Sequence, residues 1–357
     1  MDKKLRFDFA VTQKIITRIG SIDAFKGKWQ ATEKQENRYL SELRKIATIQ
    51  SIGSSTRIEG ATLTNEEVET LIRNLKIDNL ESRDEQEVIG YFEVLEAILE
   101  NFDHIELTEG NILNLHNLLL KFSAKDQSHK GSYKQLPNQV VATYPGGSQR
   151  ILFNTTAPYL VKKEMADLVA WTNKGFNEGL IHPLILIGAF IYEFLSIHPF
   201  QDGNGRLSRL LTTLLLLRQD YDFVQYVSFE NEIERRKKTY YRALMEAQQK
   251  RNTEAEIIDA WMLFFLDCME ALIVKLESKY EQYKAKGPYL NERQKKIIGF
   301  LKENEPLKIG DLAGFLGSES RSTLKNDLLY LNKEGVIDKL GRGKGTIYVM
   351  QPKEEEE

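Results

Sequence analysis

Two apolar runs, Leu184 to Leu195 and Leu210 to Leu217, bracket one short polar stretch, and this juxtaposition constrains the fold more tightly than any other feature of the chain. Each run suits a buried helix and is far too short to span a membrane. Between them lies His198-Pro199-Phe200-Gln201-Asp202-Gly203-Asn204-Gly205-Arg206-Leu207-Ser208-Arg209. An imidazole, a carboxylate and two guanidinium groups therefore sit on a tight turn between two core helices. Gly203 and Gly205 permit positive φ and let a ligand approach the main chain closely. Successive N–H groups in such a turn favour an anion, as do the free N–H groups of the helix starting near Arg206. Arg206 and Arg209, three residues apart, both project near that first turn. Asp202 is a hard oxygen donor suited to Mg²⁺. His198 is the group that could take a proton near neutral pH. A base, a metal ligand and a phosphate cradle suggest transfer of a phosphate-containing group from a nucleotide to an acceptor. The cradle alone does not decide which phosphorus is attacked.

The stretch resembles the signature of the Fic family, HPFx[D/E]GNGRxxR, and matches it at every fixed position. The resemblance implies a mainly helical domain that moves AMP from ATP onto a protein hydroxyl. It implies that His198 is the base and that Asp202 holds Mg²⁺. Gly203, Asn204 and Gly205 would lie at the phosphates, with Asn204 stabilising charge on the α-phosphate. Arg209 would hold the γ-phosphate, and Arg206 would steady the loop or the β-phosphate. Family members that use another nucleotide, or that remove AMP from a modified protein, keep those two readings open.

Three further stretches take their meaning from this resemblance. In Ser54-Ser55-Thr56-Arg57-Ile58-Glu59-Gly60, Ser55 and Glu59 share a helix face and Gly60 is a natural helix stop. The segment resembles the family's inhibitory motif [S/T]xxxE[G/N], which implies that Glu59 pairs with Arg209 and restrains it. Gln139 to Thr143 and Gln149 to Phe153 read as strands joined through Tyr144-Pro145-Gly146-Gly147-Ser148. This β-hairpin resembles the Fic flap, whose edge would hold an extended target segment. Tyr240 and Tyr241 resemble the family's YYxxL segment beside the adenine, with Gln248 where relatives often carry Asn. Both tyrosines also read as packing residues.

Composition sets the remaining bounds. The 357 residues suffice for two or three domains with their own cores. A net charge of −3 gives no overall bias toward nucleic acid or anionic membrane. Cys268 is the only cysteine, so no intrachain disulfide can form, and no Cys/His cluster suggests zinc. The first residues lack the apolar core of a signal peptide. The expected location is the cytoplasm.

The element pattern is mainly α. Residues 1–30 give weak periodicity and no assignment. A helix is expected from Gln35 to Ile52, another from Thr64, paired with Glu67 in a capping box, to about Leu75, and another from Asp84 to about Glu100. Thr108 caps the next, which carries His116 as a packing residue. Helices follow at Pro158 to Lys174, Pro183 to Ile197, the motif through Arg218, Glu230 to Gln249, and Glu254 to Lys284. Lys286-Gly287-Pro288 reads as a linker. Residues 289–350 resemble a winged helix-turn-helix: helices at Gln294 to Leu301, Ile309 to Leu316 and Ser320 to Glu334, then strands at Val336-Ile337 and Ile347 to Val349. Arg321, Lys325, Arg342 and Lys344 could meet DNA phosphates. Asp327 and Glu334 on the same helix weigh against that, so DNA binding is not favoured. The expected organisation is an N-terminal helical region at 1–105, a Fic domain at 106–286, a winged helix at 289–350 and an acidic tail at 351–357. The expected partners are ATP, a protein hydroxyl (one of its own included) and a second copy in a dimer.

Overall fold

The structure, a computed structural model, describes residues 5–33, 38–74, 80, 82–143, 149–285, 290–317, 319–341 and 343–351. These form α1 (Phe9–Glu33), α2 (Arg38–Glu59), α3 (Asn65–Arg73), α4 (Arg83–Asn101), α5 (Glu109–Leu119), β1 (Gln139–Thr143), β2 (Gln149–Asn154) and α6 (Pro158–Glu178). Then come α7 (Pro183–Ile197), α8 (Asn204–Arg218), α9 (Phe229–Arg235), α10 (Lys237–Gln248) and α11 (Asp259–Ala285). The chain ends with α12 (Glu292–Asn304), α13 (Ile309–Leu316), α14 (Arg321–Lys333), β3 (Ile337–Leu340) and β4 (Ile347–Met350). The fold is mainly α, and among the described residues no helix is long and apolar enough to cross a membrane. Two compact units result, Met1–Glu277 and Ser278–Glu357. The expected hairpin turn at 144–148, the linker at 286–288, Arg342, the Lys344 side chain and the acidic tail lie outside the described residues.

The first unit is built around α7 and α8, which are buried on nearly every side. A helix enclosed by others needs no polar face, which explains why the two apolar runs show no amphipathic stripe. Pro183 opens α7, where its missing N–H leaves no bond unmade. α7 closes at His198, whose main chain is left-handed at φ 53°. Gly203, at φ 81°, then turns the chain into α8.

The expected boundary at residue 105 falls inside this unit. α1, unassigned from sequence, buries Ile15, Ile22, Phe25 and Trp29, and Phe25 meets Phe223 edge-on at 5.2 Å. Arg18 pairs with Asp267 of α11 at 2.5 Å. Of the residues expected as a helix at 35–52, those from Arg38 onward run on with the motif expected at 54–60 as one continuous helix, α2, which stops at Glu59, before Gly60 with its φ of 113°. The single helix expected from Glu230 to Gln249 is broken at Arg236, which leaves helical geometry at φ −108°, ψ 23°. α11 starts at Asp259 rather than Glu254, after a turn in which Glu256 accepts from Tyr192 and from the Asn252 N–H. Thr64 and Glu67 cap α3 reciprocally, and Thr108 caps α5.

β1 and β2 pair antiparallel with a bulge between Val140 and Val141. In the second unit, α12, α13 and α14 and the β3–β4 hairpin close over Ile297, Leu301, Leu312, Leu324, Leu328 and Ile337. The order of elements is the one expected, with one change of meaning. Asp327 does not lie on the outer face of α14; it is buried and bonds to Arg293 and Gln294 of α12.

Candidate active site

His198 is positioned by the end of α7. Its Nδ1–H donates to the Leu195 carbonyl at 3.3 Å, which leaves Nε2 as the unprotonated nitrogen. Burial, reinforced by the nearby Lys134 charge and opposed by the Leu195 bond, brings its pKa from 6.5 down to about 4. The imidazole is therefore neutral at neutral pH, the form a base needs.

Asp202 Oδ1 accepts from the Gly203 N–H at 2.6 Å and from Arg206 Nη2 at 3.1 Å. Oδ2 faces Lys125 at 3.5 Å and Arg83 at 3.6 Å. Burial disfavours the carboxylate, yet Arg206, the Gly203 N–H, Lys125 and Arg83 together hold its pKa below the usual value. Among the described residues no group of three or more His, Cys, Asp or Glu forms a metal cage. Asp202 instead offers one oxygen, Oδ2, whose neighbours are two long and largely exposed basic side chains. That fits Mg²⁺, which binds through one or two carboxylates and draws its other ligands from phosphates and water.

Around this pair the loop is braced from within. Asn204 Oδ1 accepts from the Phe200 N–H at 2.9 Å, and its Nδ2 donates to the Phe200 carbonyl at 2.7 Å. Each end of the amide thus bonds to the loop once, and one Nδ2 N–H remains for a further acceptor. Arg206 is 1% exposed, held between Asp202 and Glu87 at 3.1 and 3.3 Å. It steadies the loop. His116 accepts from the Gly131 N–H through Nδ1, contacts the Asp202 carbonyl through Nε2 at 3.0 Å and stacks on Phe200 at 3.7 Å. No side chain caps α8, so its first N–H groups are left at the cleft wall.

Arg209 is held by α2. Its Nε donates to Ser55 Oγ at 2.8 Å, and its Nη2 donates to the Ser55 carbonyl at 2.9 Å and to Glu59 Oε1 at 2.8 Å. Burial works against the guanidinium charge, but Glu59, Tyr240 and Tyr91 keep its pKa above the ordinary arginine value. The Glu59 carboxylate also rests on the phosphate cradle: a Cβ at Gly205 would lie 2.1 Å from Glu59 Oε1. α2 is in turn fastened to the next elements, with Arg57 bidentate to Glu234 at 2.7 and 3.0 Å and Lys237 on the Ile58 carbonyl at 2.7 Å.

Glu59, His198, Asp202, Gly203, Asn204, Gly205 and Arg209 share one cavity of about 120 Å³ with Tyr240, Tyr241 and the hairpin residues Val140 and Phe153. Glu59 takes up part of this cavity. Tyr240 and Tyr241 meet edge-on at 5.1 Å. Burial pushes both phenols well above their usual pKa. Gln248 does not line the cleft; it is buried and donates to Ser196 Oγ at 2.6 Å. Sequence reasoning assigned no site role to Glu87, Tyr91, Lys134 or the basic pair beside Asp202.

Residues 106–216, a span that ends inside α8 and includes the whole polar stretch, match the Fic/DOC family. The chain carries a Fic domain. A protein adenylyltransferase Fic of Drosophila willistoni is 30% identical over 206 residues, 57% of this chain and 39% of that protein. The chain thus matches about two fifths of the length of such curated relatives. The crystal structure of a Fic family protein from Desulfovibrio desulfuricans is 26% identical, with a TM-score of 0.65 over 99% of both chains. Fic-1 from C. elegans shares the fold of the Fic domain at 20% identity, with a TM-score of 0.59 over 77% of this chain and 75% of its own.

Proposed function

We propose that the protein is an autoinhibited protein adenylyltransferase, and the observation that carries this is the Glu59–Arg209 contact laid across the Gly205 cradle beside His198. ATP would place its phosphates against the first turn of α8. A target hydroxyl near the hairpin gives its proton to His198 Nε2 as its oxygen bonds to the α-phosphorus. The bond from that phosphorus to the α–β bridging oxygen breaks, and pyrophosphate leaves. The loop and helix N–H groups stabilise the charge that develops on the α-phosphate. Mg²⁺ held by Asp202 would neutralise and align the α- and β-phosphates. Arg209, once freed, would hold the γ-phosphate and so fix the α-phosphate in line. With Glu59 on Arg209 that alignment is lost, and a misplacement of about 1 Å is enough to cost roughly a hundredfold in rate.

Intact mass after incubation with Mg²⁺ and ATP tests this. Glu59→Gly is expected to gain AMP, the wild type little, and Glu59→Gly with His198→Ala none. A wild type that instead strips AMP from a modified protein, and loses that activity in Glu59→Gly, would make Glu59 an activator of water and overturn the inhibitory role. Competition among nucleotides reports whether AMP is the transferred group.

A second reading gains support from the burial of Asp327. The exposed residues of α14 include Arg321, Lys325, Asn326 and Lys333 and no carboxylate. Such a face suits DNA phosphates. Retardation of duplex DNA that weakens steeply with salt, and fails in Arg321→Ala/Lys325→Ala, is the expected result; no retardation at low salt would remove the reading.

A further inference from the structure

Lys134 lies outside the cleft and is only 3% exposed. A buried ammonium needs an acceptor for each of its three N–H bonds. Lys134 has them: Asn138 Oδ1 at 2.7 Å, Thr155 Oγ1 at 2.7 Å and the Ile197 carbonyl at 3.1 Å. Asn138 immediately precedes β1, and Thr155 immediately follows β2. These are the two feet of the hairpin, and Thr155 bonds to Asn138 as well. Ile197 immediately precedes His198. Two more bonds run between the same parts. The Lys134 N–H donates to the Pro199 carbonyl at 2.8 Å, and Asn138 Nδ2 donates to the Phe200 carbonyl at 2.8 Å.

A two-stranded hairpin is marginal by itself, so its pose is set by whatever holds its feet. Here that is one side chain that also grips the residue before the base. We infer that Lys134 is a positioning residue for the transfer step: it fixes the hairpin, and with it a hairpin-bound hydroxyl, in register with His198 Nε2, and it takes no part in holding the nucleotide. The inference rests on the transferase reading above and names a component that reading does not require. Lys134 contacts the feet of the flap and the catalytic loop at once.

The test compares Lys134→Met and the near-isosteric Thr155→Val, each in the Glu59→Gly chain. AMP transfer kinetics and hydrogen exchange across residues 139–154 are measured together. For Lys134→Met, kcat is expected to fall about a hundredfold while KM for ATP stays within about twofold, because the hydroxyl and not the nucleotide is displaced. Exchange of the hairpin amides is expected to rise roughly tenfold as its anchoring bonds are lost. Thr155→Val should move both readouts in the same direction and less far, and the double variant should add little to Lys134→Met, since the two groups share one bond. If Lys134→Met does not fold, Thr155→Val decides by the same two readouts. Unchanged exchange with unchanged kcat overturns the proposal, as does a raised KM for ATP with kcat preserved. If Glu59→Gly itself transfers no AMP, the transferase reading fails instead. Exchange then judges the clip alone, and hairpin amides as slow as in the parent overturn it.

Discussion

Arg209 is a full charge at 2% exposure, and α2 supplies it with three acceptor bonds. Glu59 is a third exposed, so losing it removes one charge-assisted bond and leaves two to Ser55. The expected destabilisation of Glu59→Gly is about 1–3 kcal/mol, small enough for the variant to remain folded while its activity changes. His198 and His116 titrate together with stability. Burial brings both from 6.5 to about 4 in the fold. Between those values the unfolded chain binds more protons than the folded one, so stability falls as pH drops from about 6.5 toward 4 and is level above. Urea midpoints should be level between pH 8.5 and 7.5 and should decline from pH 6.5 to 5. In active Glu59→Gly, the acid limb of kcat/KM should lie well below pH 6.5, whereas that of kcat should lie higher, because bound phosphates favour the imidazolium. The identity of the polar residues was legible because seven of them stand within one run of twelve, residues 198–209. What each side chain does was less so. Asn204 and Gln248 were read as nucleotide contacts, and in the structure each also bonds within the fold, to Phe200 and to Ser196, partners that no spacing rule reveals. Lys134 and Glu87 were given no role because a buried charge is recognised by its partners, and the Ile197 carbonyl and Arg206 lie far along the chain.

Among the elements, α2 ties the site to its restraint. Four of its residues near the C-terminal end, Ser51, Ser54, Ser55 and Thr56, are small, polar and buried, which lets the helix lie close against α8 and α9. Arg57 with Glu234 and Lys237 with the Ile58 carbonyl then fix its last turn. Arg57→Ala is expected to raise AMP transfer above the wild type and to leave it below Glu59→Gly, since it loosens the turn without removing the carboxylate. An unchanged rate by the same mass assay would show that packing alone holds the turn. Capped, amphipathic elements were readable: Thr64 with Glu67 and Thr108 marked α3 and α5, and α13 has the bounds read from sequence. α1 was not, although Ile15, Ile22 and Trp29 recur every seven residues. Exposed Phe9 and Ile16 blur that stripe. The break between α9 and α10 left no mark either, because Arg236 is neither glycine nor proline. Its N–H turns to the Glu232 and Ile233 carbonyls, and that kink separates the two short helices just ahead of Tyr240 and Tyr241.

At the scale of the molecule, the sequence foretold a mainly helical chain, and the structure is one, in two compact units that divide after Glu277. It did not foretell that the first hundred residues belong to the same core as the cleft, because such membership is decided by long-range contacts such as Phe25 on Phe223 and Arg18 on Asp267. That membership bears on how quickly inhibition can lift. A brake borne on a detachable lid would leave and return with the slow clock of domain motion, microseconds to milliseconds. α2 is instead a beam of the building, and Ser55 within it is wholly enclosed. Within residues 51–60 the exposed ones are Glu59 and Gly60, at the tip. Swinging one carboxylate away from Arg209 is a rotamer change, over in roughly nanoseconds. The resting chain would therefore sample the open cleft often and briefly, and whatever activates it has only to lengthen those visits.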